Sequence, residues 1–211
     1  MIYHDVEQNT DEWLALRAGK ITSSKIACIM ANYGKAFGDP AKKYAAQIAI
    51  EQITGNPISS LYTNEHMDRG HEQEPIARQL YEQRFFTKVQ NGGFFEMENQ
   101  GTSPDGLVFT DGQIEIKSVI ASTHYATIVR QSFDTAYKWQ MIHSLKTTNR
   151  EWIDFVSYCS DFPKEKNLYT FRIYAGEVSP EFEMIDDRVR EFEILIEKVK
   201  QSILNCEYTI Y

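Results

Sequence analysis

Apolar positions along the chain change their period several times, and each change marks an element. After Ser179-Pro180, Ile185, Val189, Phe192, Ile196, Val199 and Ile203 recur at three- and four-residue spacing, which predicts one long helix packed on its own sheet. Shorter stretches with that period predict helices whose buried sides carry Trp13, Leu14 and Leu16, then Ile26, Ala27, Ile29 and Met30, then Tyr44, Ile48 and Ile53. Thr10 ahead of Asp11-Glu12, the Thr22-Ser23-Ser24 run, and Asp39-Pro40 read as their starts, and Gly55-Asn56-Pro57 ends the third. Ser122-Thr123 caps a further helix through Ile128. Asp134-Thr135 caps another that carries Tyr137, Trp139, Met141 and Leu145. Residues 56–64 read as loop. A helix opening at Asn64 or Glu65 meets Gly70 and Pro75, and proline inside a helix costs about 3 kcal/mol. A restart with Glu74 as N-cap and Pro75 in the first helical position avoids that cost, with Ile76, Leu80 and Phe86 on the core face.

Alternating or continuous apolar runs predict strands. Residues 1–9 form an extended lead-in, and Lys88 to Met97 reads as strand, turn at Asn91-Gly92-Gly93, strand. Glu151 to Cys159 and Leu168 to Tyr174 give two more. Val108–Thr110 and Gln113–Val119 read as a hairpin with Asp111-Gly112 as a two-residue turn. On the second strand of that hairpin Glu115 and Lys117 share a face, while Ile114 and Ile116 point into the core. Asp105 precedes the first strand beside Gly106.

Composition bounds the picture without deciding it. At 211 residues, 42% hydrophobic and 25% charged, the chain suits one α/β domain spanning 1–211. It lacks a membrane-length apolar run and a signal-peptide pattern. Its 3 scattered cysteines suit free thiols in a reducing cytoplasm. A net charge of −8 argues against a broad basic surface that coats nucleic acid, but leaves room for a nuclease with a local basic lining.

Asp105, Glu115 and Lys117 then suggest chemistry. Two close carboxylates repel unless a cation sits between them, and oxygen ligands favour Mg²⁺ or Mn²⁺. The lysine is placed to orient or deprotonate a water for phosphodiester hydrolysis. Glu-x-Lys alone favours a surface hairpin with a cross-strand ion pair; the combined Pro-Asp, turn, Glu-x-Lys order shifts the balance to the metal site. Arg17 beside the Ser/Thr-rich helix start at 22–24 reads either as an anion site or as simple capping.

Four blocks in order carry a resemblance. Glu7-Gln8, Asp11-Glu12-Trp13, Leu16-Arg17, Gly19 and Ile21-Thr22-x-Ser24 form the first, and Arg69-Gly70, Glu72, Glu74 and Ala77-Arg78 the second. Ser103-Pro104-Asp105-Gly106-Leu107 with Glu115-Ile116-Lys117 forms the third, and Ala136-Tyr137-x-x-Gln140 the fourth. Together they resemble the lambda-exonuclease family of phage recombination exonucleases (YqaJ-type, within the PD-(D/E)xK nucleases). The resemblance implies a restriction-endonuclease-like mixed β-sheet flanked by α-helices, with an N-terminal helical extension. It implies a processive 5′-to-3′ exonuclease on double-stranded DNA ends that leaves 3′ overhangs. Asp105, Glu115, the Ile116 carbonyl and Glu74 would hold two Mg²⁺ ions, with Mn²⁺ substituting, Lys117 would act on the water, and Gln140 would stand behind it. Glu72 is the alternative to Glu74, because Pro75 departs from the family pattern. Arg17, Ser24 and Ser103 would bind the 5′-phosphate and Met67 would be the strand wedge. Where the family has a further phosphate-binding arginine this chain has Thr123, so that contact is missing or falls to His124 or Arg130. The family also implies a homotrimeric ring, a single-strand annealing recombinase as partner and a bacterial cytoplasm. A same-fold endonuclease and a catalytically silent DNA-end-binding protein remain the alternatives; an iron–sulfur nuclease would need four clustered cysteines.

Overall fold

The computed structural model describes residues 1–58 and 65–206, without the side chains of 65–68 and 71. The Met67 side chain, expected as the wedge, and the loop expected beyond residue 58 therefore lie outside the described residues.

Two mixed sheets and a helical layer make the fold. In the larger sheet, β3 (Val89–Gln90), β6 (Gly106–Val108), β7 (Gly112–Ser118), β8 (Trp152–Tyr158) and β9 (Leu168–Tyr174) run in that spatial order. Among the described strands of this sheet β7 and β8 alone pair in parallel, Glu115 opposite Phe155 and Lys117 opposite Ser157. Parallel neighbours need a crossover, here supplied by α5 (Ala121–Arg130) and α6 (Lys138–Thr148). The smaller sheet places β1 (Ile2–His4), β4 (Phe94–Met97), β5 (Gln100–Thr102) and β2 (Ile21–Thr22) side by side. The helical layer holds α2 (Ile26–Met30), α3 (Asp39–Thr54) and α7 (Ser179–Leu204), with α1 (Asp11–Arg17) leading into β2.

The central strand β7 is buried on both faces. Ile114 and Ile116 meet Ala77 and Tyr81 of α4 (Glu65–Phe85) on one side, while Glu115 faces α6 on the other. A buried polar chain joins α6 to both sheets. Ser23 Oγ lies 2.6 Å from His143 Nδ1, His143 Nε2 lies 2.9 Å from Gln100 Oε1, and Thr102 donates to Ser144. Burial pushes the His143 imidazole down to about 3, so it stays neutral.

The helix starts at Thr10 and Asp134 are capped as expected: Thr10 accepts from the Trp13 N–H and Asp134 from the Ala136 N–H. The third helix begins one residue early, with Gly38 as N-cap. The remaining departures have physical causes. Helix α4 does not restart at Glu74; it runs through Pro75. Ala77 and Tyr81, both almost fully buried, form its core side, which leaves the neighbouring Ile76 facing outward. Phe86 follows the last helical residue at φ +51 and is exposed instead of continuing the core face. Ile53, Ile203 and Ala27 are also exposed. The stripe on α7 packs mainly on helix, Ile185, Val189, Phe192 and Ile196 sharing a core with Ile29, Tyr44 and Ile48, and the smaller sheet adds Ile21 of β2 to it.

Residues 88–97 are not a hairpin. β3 pairs with β6, whereas β4 pairs with β1 and β5. The Gly92-Gly93 pair serves close approach: a Cβ at Gly92 would sit 1.7 Å from the Pro104 carbonyl oxygen, and Gly93 takes φ +57 against the His4 carbonyl. The chain thereby changes sheets alongside the Ser103–Asp105 segment. The β6–β7 turn is likewise not the two-residue Asp-Gly form. Val108 pairs with Gly112, which leaves Phe109, Thr110 and Asp111 as a three-residue loop with Phe109 at φ +52.

Candidate active site

β7 delivers Glu115 and Lys117 to one face because side chains alternate along a strand. Lys117 Nζ lies 2.5 Å from Glu115 Oε1, and Gln140, one helical turn into α6, donates to that same oxygen. Asp105 reaches the place from the short stretch between β5 and β6. Its Oδ2 accepts the Ile116 N–H at 2.6 Å, which fixes the carboxylate against the edge of β7. From α4, Arg78 donates to Glu74 at 3.0 Å and to the Asp105 carbonyl. Glu74, not Glu72, is turned into the site: Glu72 is exposed.

Burial raises the pKa of all three carboxylates, and neighbouring charges modify it. Burial, then Asp105 and Glu74, push the Glu115 carboxyl up to about 7 against the pull of Lys117. Burial also raises Asp105, and burial with Asp105 raises Glu74. Burial alone would lower Lys117, but Glu115 and Asp105 outweigh it and hold the ammonium above the ordinary lysine value. Its charge also sits 4.9 Å from the Tyr137 ring centroid.

Among the described residues no three histidine, cysteine or acidic side chains form a ready metal cage. The donors that converge here are oxygens only, on Asp105, Glu115 and Glu74, with pKa values raised by burial and, at Glu115 and Glu74, by the charge of Asp105 as well. That donor set fits a hard divalent cation, and does not fit zinc or an iron–sulfur cluster.

A second constellation lies beside the first. Arg17 donates to Ser24 Oγ at 3.4 Å, and its guanidinium lies 4.0 Å from the Trp13 ring centroid. Burial lowers the Arg17 pKa, yet a guanidinium stays a cation. The Trp13 indole N–H donates to Ser103 Oγ at 2.8 Å, so Arg17, Ser24 and Ser103 gather around one tryptophan. The first group, and Ser24 of the second, open onto a cleft of about 700 Å³ lined by Arg69, Glu74, Asp105, Ile116, Lys117, Thr123 and Tyr137, among others.

Thr123 thus lines the cleft, but neither suggested replacement for an arginine there does. His124 is buried, with ring nitrogens 2.8 Å from Ser157 Oγ and 2.9 Å from the Lys166 carbonyl. Arg130 turns away to the Phe133 carbonyl. Arg69 is the additional cation on the cleft wall.

The sequence reading gave no role to Trp13, Arg78 or Glu51. The first two had a signal: Trp13–Arg17 and Glu74–Arg78 are both four apart on a helix, hence on one face. Glu51, a buried acid on α3 that accepts the Gly19 N–H at 2.8 Å, had none.

A family model for the YqaJ-like viral recombinase domain matches residues 12–151. The chain belongs to this family. The match spans every site residue named above, from Trp13 to Gln140. A crystal structure of LHK-Exo in complex with dAMP is 32% identical, covers 92% of this chain and 98% of that one, and superposes with a TM-score of 0.78. A second, of the alkaline exonuclease LHK-Exo from Laribacter hongkongensis, is 31% identical with the same coverage and a TM-score of 0.77. A phage-related exonuclease from Haemophilus somnus 129PT is 16% identical, covers 87% of this chain and 96% of that one, and shares the fold with a TM-score of 0.69. No curated protein sequence matches the chain. Family and fold are thus those of phage-type alkaline exonucleases, as the four sequence blocks implied. Among the described residues no helix is long and apolar enough to cross a membrane.

Proposed function

We propose that the chain is a divalent-metal-dependent exonuclease that degrades the 5′-ended strand at double-stranded DNA ends and leaves 3′ single-stranded overhangs. The carrying observation is the common cleft, with Asp105, Glu74 and Lys117 on one wall and Ser24 on another. A phosphodiester hydrolysed next to a pocket for a terminal phosphate is cut one nucleotide at a time.

Asp105, Glu115 and the Ile116 carbonyl, with Glu74 beside them, would hold two Mg²⁺ ions, Mn²⁺ substituting. Bound there, such ions lower the pKa of water and stabilise the charge that develops on the phosphoryl oxygens. The Ile116 N–H fixes the Asp105 carboxylate, and Gln140 fixes that of Glu115. Arg78 ties Glu74 to the Asp105 backbone, so the acids approach as one unit. Lys117 keeps a proton on Nζ and orients the attacking water by donating to it. Arg17, Ser24 and Ser103 hold the 5′-phosphate, and the new terminal phosphate left by each cut re-enters the same pocket, which favours processivity. In this reading residues 1–211 act as one nuclease domain and assemble as a homotrimeric ring in a bacterial cytoplasm. The overhang passes to a single-strand annealing recombinase.

Digestion of linear duplex DNA with Mg²⁺, labelled at either end beside a closed circular control, tests this. Early release of 5′ label, an intact circle and inhibition by EDTA are expected. Cutting of the circle would replace the proposal with an endonuclease, and no cleavage with any divalent metal would replace it with a silent end-binding protein.

A further inference from the structure

Trp13 joins the two sides of the phosphate pocket. It belongs to a helix of 7 residues, and three of its groups are engaged at once. Its backbone N–H meets the Thr10 cap at 3.3 Å, its indole N–H donates to Ser103 Oγ at 2.8 Å, and its ring lies 4.0 Å from the Arg17 guanidinium carbon. Ser103 sits two residues before Asp105, so the indole also ties α1 to the segment that carries a candidate metal ligand.

The direction of these bonds matters. An indole nitrogen can only donate. Ser103 Oγ therefore uses a lone pair on Trp13, and its own hydrogen is left to point at an acceptor. Arg17 treats Ser24 the same way, donating to its Oγ at 3.4 Å. Each hydroxyl that accepts in this way still has its own O–H to give, Ser24 sharing its choice with Thr22 Oγ1 at 3.4 Å, and with the guanidinium 4.0 Å from the ring centroid the pocket is rich in donors. Phosphate oxygens accept only.

We propose that Trp13 is a positioning residue for recognition of the 5′-phosphate: its ring holds Arg17 in place and its N–H turns the Ser103 hydroxyl into a donor. The role rests on the reading of the cleft as a 5′-end-directed exonuclease. It extends that reading to a residue that need not touch DNA.

The test compares initial rates on duplexes with 5′-phosphoryl and 5′-hydroxyl ends for the wild type, Arg17→Ala, Trp13→Phe and Trp13→Leu. Trp13→Phe keeps a ring under Arg17 and loses the N–H; losing one hydrogen bond predicts a fall in the phosphoryl-to-hydroxyl ratio of about fivefold. Trp13→Leu loses ring and bond, and the ratio falls about thirtyfold. A merely structural tryptophan would slow both substrates together and leave the ratio untouched. If Arg17→Ala collapses the ratio while both Trp13 variants keep the wild-type value, the positioning role is wrong and the phosphate pocket stands. Should Trp13→Leu fail to fold, Trp13→Phe decides alone. A wild-type ratio of one overturns the 5′-phosphate reading itself, and the role of Trp13 with it.

Discussion

Glu51 offers a sharp test of how the pocket is held, because it lies outside the cleft. Its residue is 6% exposed. One oxygen accepts the Gly19 N–H at 2.8 Å; the other accepts Gln47 Nε2 at 2.9 Å and the Ile58 N–H at 3.1 Å. The next residue of α3, Gln52, donates to the Gly19 carbonyl at 2.9 Å, and Tyr44 accepts the Thr22 N–H at 3.0 Å. α3 thus grips the turn that follows Arg17 from both sides. Replacing Glu51 by alanine strands the buried Gly19 N–H, which costs about 1–3 kcal/mol, and deletes further bonds to a charged acceptor. Relief of the carboxylate's own desolvation offsets part of this, so we expect a net loss of about 2–4 kcal/mol. Glu51→Gln keeps one acceptor oxygen and should lose about half as much. Urea denaturation at fixed pH, read as a change in midpoint at constant slope, measures both. The phosphoryl-to-hydroxyl rate ratio should fall with Glu51→Ala as the Arg17 turn loosens. Stability within 0.5 kcal/mol of wild type, where about 2–4 is expected, would show that the clamp contributes nothing and refute the reasoning.

Further outcomes follow from the same geometry. Lys117→Ala should lower turnover about 10²–10⁴-fold while the circular dichroism spectrum persists, and full activity would remove the lysine from the mechanism. The Glu115 carboxyl, held near 7 when folded against 4.5 for the free group, binds more protons in the folded state than in the unfolded one between those values. Without divalent metal, stability should therefore fall as pH rises through that window, by up to about 3 kcal/mol; Glu115→Gln should flatten the slope in pH-dependent urea titrations. Gly112→Ala should destabilise by about 3 kcal/mol in the same denaturation assay, because its Cβ would lie 1.9 Å from the Trp152 ring. That ring cannot retreat easily, since Arg172 covers it at 3.5 Å.

What the sequence made legible divides by range. Strands β8 and β9 and the stripe of α7 are long enough for period to speak, and their limits agree with the pattern to within a residue or two. The smaller sheet was hidden, because β1, β2 and β5 span only 2–3 residues and exist through pairing alone. Gly92-Gly93 carries the same local signal as a hairpin turn. What decides its use is the carbonyl of Pro104 on one side and that of His4 on the other, and neither is near in sequence. Pro75 teaches the converse. A local rule with a cost of about 3 kcal/mol is overridden, since α4 runs unbroken through Pro75. Around it Ala77 and Tyr81 pack under β7, Glu74 and Arg78 meet beside Asp105, and Ile76 faces solvent. In the site, alternation along β7 was enough to bring Glu115 and Lys117 to one face. Residues that bind the constellation together act across 90 positions, as Trp13 does to Ser103, or 25, as Gln140 does to Glu115. Short-range period can locate the groups that do chemistry, but their orientation is written in such long-range hydrogen bonds. Substitutions at Trp13, Arg78 and Glu51 therefore probe the site more sharply than their unremarkable sequence context suggests.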